Sequence, residues 1–242
     1  MAAAEASSVP GLGAGISQRL AQWRAKQYRD LRYALDVSID AAAGTLAGSV
    51  AVSFSFTGAP VPLVLDWRGG RERLQAVAAN GKALARFDLH HDHLVIPATR
   101  LRRGMNHVRI AFTSPVSDAG GPLTRYRDPA DGTQYWYTLF VPADASSVLP
   151  CLDQPDLKGR WTLTLEHPAK WQSAANGAET ARSVNGERVT VHFAETQPLP
   201  TYLVAFICGD FKVETGERNG RTFRMFHRET DAAKVEIGRA HV

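Results

Sequence analysis

Two stretches gather residue types from which chemistry is ordinarily built. "DLHHDHL", residues 88–94, sets His90, His91 and His93 around Asp92, and clustered imidazoles with a carboxylate are a zinc-binding composition. A closed zinc site needs convergent ligands, whereas neighbours on extended backbone point to opposite faces, so at most His91 and His93 share one. The segment reads as a hairpin tip with solvated histidines, and no metal site is expected in this chain. The second stretch, "LPCLDQPDLKG" at 149–159, places Cys151, Asp153 and Asp156 close together. Paired carboxylates can serve as general acid and base. Here, however, Pro155 suits the first position of a helical turn, Asp153 and Asp156 its N-terminal end, Lys158 its C-terminal end, and Gly159 its stop. A capped turn is predicted, not a catalytic dyad. His227 begins "HRETD", which lacks the second histidine of an H-E-x-x-H helix, and that motif occurs nowhere in the sequence. No G-x-S-x-G elbow, G-x-x-x-x-G-K-[ST] phosphate loop or dinucleotide fingerprint is present either. No residue of the chain is assigned a catalytic role.

Composition narrows the remaining classes. The 242 residues are 44% hydrophobic and 21% charged, ordinary for a globular chain with a sizeable core. A formal charge of +4 and a pI near 9.2 look basic, but Lys and Arg are interleaved with Asp and Glu and form no block of like charge. With no helix-turn-helix, zinc-finger or aromatic RNA-binding signature, no nucleic-acid partner is expected. Cys151 and Cys208 are too few for a disulfide framework, and Cys208 sits in the apolar run "YLVAFICG", where a free thiol behaves as a small hydrophobe. That run, 202–209, falls far short of the ~20 residues a membrane helix requires, so no membrane association is expected. The start, "MAAAEASSVPGLG", has neither a basic n-region nor an apolar h-region, and a cytoplasmic location is the expectation.

The elements that must position these residues follow from periodicity. Residues 1–15, rich in Ala, Ser and Gly, read as a flexible arm. Ile16, Leu20, Trp23 and Tyr28 recur at near-helical spacing and Ser17 can cap them, which predicts a short N-terminal helix. After Asp30 the period becomes two: Leu31, Tyr33, Leu35, Val37 and Ile39 alternate with polar residues, as do Val50, Val52, Phe54 and Phe56. Further strands are predicted over 61–67, 107–112, 134–141, 161–167, 188–193 and 202–213. Asn80-Gly81, Asn185-Gly186 and Asn219-Gly220 lie between strand-like segments and supply the positive φ that tight hairpins need. With no second helix to make crossovers, the fold class expected is all-β, an antiparallel, saddle-shaped, sandwich-like domain over residues 16–235. The last seven residues, "EIGRAHV" at 236–242, show no period and are expected to be an artificial tail, because they can be read as the translation of a sequencing-adapter start.

"LPCLDQPDLKGRWTLTL", 149–165, followed by "TYLVAFICGDF", 201–211, resembles the N-terminal domain of the aminopeptidase N family of zinc metallopeptidases. That family carries a Pro-Cys-Phe-Asp-x-Pro-x-x-Lys corner leading into a Phe-Thr-Leu-Thr-Leu strand, with a Tyr-Leu-x-Ala-Phe-x-x-Gly-x-Phe strand some forty residues on. The resemblance extends over residues 25–230, with "LRYALDVSID" as the opening strand. It implies a saddle-shaped β-domain packed against a catalytic domain outside this chain, which would hold the zinc and hydrolyse N-terminal residues from peptides. On this reading the chain alone is inactive and binds no zinc.

The resemblance also implies where the domain meets substrate. In many members the strand before the corner reads Tyr-Thr-Gln-Phe-Glu, and its Gln and Glu hold the α-amine of the peptide. The matching positions here are Leu139 and Val141, within Tyr137-Thr138-Leu139-Phe140-Val141, so the substrate-binding positions are apolar. The alternative reading is a non-catalytic scaffold or protein-interaction domain, such as the aminopeptidase-like subunit of a general transcription factor.

Overall fold

In the computed structural model, residues 8–231 and 235 are described, and the tail expected to be artificial lies outside the described residues. The first element among the described residues is helix α1 (Gln18–Gln27), capped by Ser17, whose hydroxyl accepts the Leu20 N–H at 3.2 Å. Leu20, Trp23 and Arg24 form its buried side, and Tyr28 ends it in extended backbone. Its last turn leads directly into the sheets.

The strands in chain order are β1 (Arg29–Asp40), β2 (Thr45–Phe56), β3 (Leu63–Asp66), β4 (Leu74–Ala79), β5 (Lys82–Ala83) and β6 (Asp88–His90). They continue with β7 (His93–Ile96), β8 (Gly104–Ser114), β9 (Leu123–Arg127), β10 (Gln134–Thr138), β11 (Arg160–Pro168) and β12 (Gln172–Ala175). The last are β13 (Glu179–Asn185), β14 (Arg188–Phe193), β15 (Phe206–Gly209), β16 (Lys212–Arg218) and β17 (Arg221–His227). Eight of them form one sheet in the order β13-β14-β11-β1-β2-β8-β4-β5; the others make β12-β15-β10-β9, β3-β7-β6 and the β16-β17 hairpin. The described residues are mostly sheet with one short N-terminal helix, as periodicity predicts.

Alternation explains the eight-stranded sheet. On one face Tyr33 pairs with Val52 and Leu35 with Val50, and those residues pair on with Val108 and Ile110 of β8, all buried. The other face is polar: Arg109 donates to Asp36 and to the Ser49 hydroxyl across three strands. Trp67, just after β3, brings its ring to 5.9 Å from Phe112 of β8, so the small sheet lies against the apolar face. Tyr28 meets Phe54 and Phe56 edge-on or tilted, at 5.6 and 6.0 Å, and joins the helix end to the same core.

Several local expectations are corrected. The pairing is not wholly antiparallel, because β1 and β11 run parallel, Tyr33 opposite Trp161. Their rings stack at 4.0 Å with an interplanar angle of 6°. A parallel neighbour needs a long return connection, and the segment between β2 and β11, with its own smaller sheets, supplies one that contains no helix of the crossover kind. Asn80-Gly81 and Asn219-Gly220 have both residues at positive φ, as two-residue hairpins require, whereas at Asn185-Gly186 only Gly186 does. The strand predicted over 202–213 is broken into a 3-10 turn at Thr201–Leu203, then β15, then β16. Asn176 holds the first break, donating to the Leu203 carbonyl and accepting the Ala205 N–H. Asp210 holds the second, exchanging backbone and carboxylate bonds with Gln134.

Candidate functional site

Strand β10 ends at Thr138, short of the predicted 141, because its ladder closes there: the Phe206 N–H donates to the Thr138 hydroxyl at 3.0 Å. The chain beyond is held by the Leu139 N–H to the Pro122 carbonyl and by Phe140, which is buried. Leu139 and Val141 flank Phe140 and are 58% and 54% exposed. Both apolar side chains therefore face outward together and neither enters the core. Leu203, 45% exposed, is another large apolar side chain left open to solvent.

The corner that follows is a junction, not a capped helical turn. Cys151 and Asp66 exchange backbone hydrogen bonds at 2.7 and 3.1 Å, and the Leu152 N–H donates to the Tyr33 hydroxyl. The Asp153 N–H donates to Asp66 Oδ2, while the Asp153 carboxylate accepts the Ser146 N–H at 3.0 Å and the Thr201 hydroxyl at 2.7 Å. Gln154 donates to the Ala21 carbonyl of α1. Pro155 and Asp156 form only a turn, closed by the Leu157 N–H on the Gln154 carbonyl at 3.2 Å. The predicted capped turn fails because tertiary donors claim the Asp153 carboxylate, and buried polar groups go where their partners are. Asp156 is exposed, so the two acids do not converge.

The histidine segment is a hairpin, with His90 paired to His93 across β6 and β7 and His91 at φ 50°. His90 and His91 are exposed, but His93 is fully buried. The expectation of solvated histidines is thus corrected for His93, and the left-handed His91 breaks the alternation by which it would have shared a face with His93. His93 Nδ1 lies 2.9 Å from Asp66 Oδ1. Arg24 donates from both terminal nitrogens to the same carboxylate, at 2.8 and 2.6 Å. Burial pushes the Asp66 carboxyl up, but Arg24, His93 and the Asp153 N–H together hold it below the usual carboxylate range. Arg24 and Asp66 escaped the sequence reading. The signal was there: a charged residue on the apolar side of α1, and an acid closing the apolar run "VPLVL".

A cleft of about 470 Å³ opens beside this cluster, walled by Gly15, Ile16 and Ala21 on one side and by Ser146, Gln154 and Pro155 on another. No activated nucleophile faces it. Burial, reinforced by the Asp153 and Asp66 carboxylates, raises the Cys151 thiol well above its ordinary range, and burial alone raises Cys208. Both thiols are free and buried. Among the described residues no group of three or more His, Cys, Asp or Glu could hold a metal ion. No helix among them is long and apolar enough to cross a membrane.

Comparison with known proteins places this geometry. Residues 29–203 match the Peptidase M1 N-terminal domain family. The chain is 30% identical over 158 residues to a probable M1 family aminopeptidase 1 of Encephalitozoon cuniculi, covering 64% of this chain and 18% of that protein. It is 27% identical over 209 residues to aminopeptidase M1-B of Oryza sativa subsp. japonica, covering 81% and 23% respectively. An aminopeptidase N of Streptomyces lividans is 29% identical over 136 residues, 56% of this chain and 15% of that protein. The matched region is therefore less than a quarter of these relatives. Residues 29–203 contain the Leu139 to Val141 segment, the Cys151 to Asp153 junction and the parallel strand that follows, and by that match the chain belongs to the Peptidase M1 N-terminal domain family.

Proposed function

We propose that this chain is the N-terminal β-domain of a zinc-dependent aminopeptidase that removes N-terminal residues from peptides. In this reading the zinc and the hydrolytic residues belong to a catalytic domain outside the chain, against which this domain packs, and the chain alone is inactive. The peptide reaches it only through that parent; nucleic acid and membrane are not partners, and the parent acts in the cytoplasm. The observation that carries the reading is the match of residues 29–203 to the Peptidase M1 N-terminal domain family; the outward pair Leu139 and Val141, flanking the buried Phe140, bears on the substrate the parent would take. An exposed apolar pair on a short, anchored segment suits the rim of a pocket that takes a bulky hydrophobic first residue. It offers no hydrogen bond to the substrate ammonium, so discrimination for a free amine falls to the catalytic domain.

The test uses the full-length parent with Leu139→Gln and Val141→Glu combined. Charge-assisted hydrogen bonds are worth roughly 1.5–3 kcal/mol each, so kcat/KM for an aminoacyl substrate relative to its N-acetylated form is expected to rise by about tenfold or more. An unchanged ratio in a folded double variant shows that these positions do not read the amine. A parent that hydrolyses no aminoacyl substrate in either form favours the scaffold alternative, to which the loss of polar groups at 139 and 141 also points.

A further inference from the structure

The cleft beside Asp66 is lined by more carboxylate than cation, and one of its buried acceptors is unused. Asp66, Asp92, Asp153 and Asp156 line it, against the guanidinium of Arg68. Arg68 is itself paired with Asp144, and Arg24, behind the cleft, is spent on Asp66. Even a charged His93 leaves an excess of negative charge here. The buried acids are committed: Asp66 to Arg24, His93 and the Asp153 N–H, and Asp153 to the Ser146 N–H and the Thr201 hydroxyl. The outer two are not. Asp92 accepts the Gly15 N–H on Oδ2 alone, and the exposed Asp156 makes no hydrogen bond or ion pair among the described residues.

Gln154 adds an inner acceptor to this rim. It is 2% exposed and lines the same cleft. Its Nε2 donates to the Ala21 carbonyl at 2.9 Å, whereas Oε1 is buried and has no hydrogen-bond partner. The bond to Ala21 settles which end of the amide is nitrogen, so the open end accepts. A buried acceptor left unpaired costs free energy, which a donor entering the cleft recovers. Arg24 Nε lacks a partner too, but Arg24 does not line the cleft and offers nothing to an entering anion. The remaining walls include the apolar Ile16, Ala21, Ala143 and Pro155, and the volume of about 470 Å³ suits a small organic molecule.

We propose that this cleft binds a primary ammonium carried on a short alkyl stem. Gln154 Oε1, Asp92 and Asp156 supply acceptors for the three N–H groups of the ammonium, and the apolar walls pack its stem. The lysine side chain of a partner protein and a free alkyl diamine share this chemistry. The proposal does not depend on the aminopeptidase reading, because every residue it uses lies within this chain.

Titration of the ¹⁵N-labelled full chain with n-pentylamine, and separately with n-pentanol, near neutral pH tests it. The amine is expected to shift the Gln154 side-chain amide and the Ala21 backbone amide to saturation. The alcohol, equal in stem but without charge, should bind about tenfold more weakly or less. Gln154→Leu should weaken the amine by about tenfold or more, and Asp156→Asn, at the exposed rim, by about two- to fivefold. N-acetyl-lysine amide and an α,ω-diamine of the same length then separate the two sources, and saturable binding of either at these residues supports the class. Equal affinity for amine and alcohol, shifts confined to other residues, or an affinity that neither substitution lowers would each overturn the proposal. If Gln154→Leu does not fold, the wild-type Gln154 amide shift and the Asp156→Asn variant decide the matter.

Discussion

The Asp153 carboxylate accepts the Thr201 hydroxyl at 2.7 Å across 48 residues of chain. Asp153 belongs to the Pro-Cys-Leu-Asp-Gln-Pro corner and Thr201 opens the Thr-Tyr-Leu-Val-Ala-Phe segment, so the two stretches that carry the family resemblance are one structural unit. The same carboxylate accepts the Ser146 N–H at the start of a 3-10 turn. One buried acid thereby joins three loops at the end of the sheets.

Removing that acid strands two donors. Asp153→Ala is expected to lower stability by about 2–4 kcal/mol, and Thr201→Val by about 1–2 kcal/mol, because unsatisfied buried groups cost more than the bond itself supplies. Urea midpoints of the two variants and of their combination check this. The double variant should lose less than the sum by roughly 1 kcal/mol or more. Strict additivity would show that the 2.7 Å contact carries no coupling.

A second expectation concerns Gly159, where the corner enters β11. A Cβ there would lie 2.6 Å from Tyr33 Cε2, inside the ring that stacks on Trp161 at 4.0 Å. A buried aromatic ring held between a partner and backbone has little room to yield. Gly159→Ala is expected to cost about 1–3 kcal/mol of stability and to perturb the near-ultraviolet circular dichroism of Trp161. A variant as stable as the parent sequence would mean that the stack is loose.

The thiols give a third. Cys151 and Cys208 are buried, and their raised pKa values keep them as neutral thiols. Reaction with a thiol reagent at neutral pH is expected to be slower than for a free thiol by roughly a thousandfold or more, because attack requires the thiolate and an opening of the fold. Both should react promptly in denaturant. Rapid titration of one thiol per native chain would contradict the packing around the corner.

Much of the fold was legible because its cause is local. Period-two alternation in 31–39 and 50–56 follows from one buried sheet face, and the Ser17 cap follows from the orphan N–H groups of any helix start. What failed to read was decided by distant partners. Nothing near Trp161 in sequence says that β11 lies parallel to β1, since the pairing rests on a stack with Tyr33, more than a hundred residues earlier. Asp153 looks like a helix cap until Thr201 and Ser146 are brought to it. His93 looks solvated until Asp66 and the arm close over it. Leu139 and Val141 flank the buried Phe140 and share an outward side, although the strand predicted over 134–141 ends before them.

The buried Arg24 and Asp66 pair makes acid sensitivity predictable in sign. In the folded chain Asp66 is held below its ordinary value, burial being outweighed by Arg24, His93 and the Asp153 N–H. In the unfolded chain it titrates near the model-peptide value of about 3.9. The unfolded form therefore binds a proton first as pH falls, and stability contributed by Asp66 is complete above about pH 4 and lost as pH drops through the folded value. Asp66→Asn should be less stable at neutral pH, and its deficit should shrink as the pH is lowered from about 5 to about 2. Arg24→Met, which leaves the carboxylate buried and short of its main partner, should cost about 3–5 kcal/mol at neutral pH. In that variant Asp66 is relieved by taking up a proton, so its deficit too should narrow in acid. Guanidinium unfolding curves across this pH range measure both differences. A deficit for Asp66→Asn that stays constant from neutral pH into acid would show that the carboxylate does not change its proton affinity on folding, and that the ion pair contributes by shape alone.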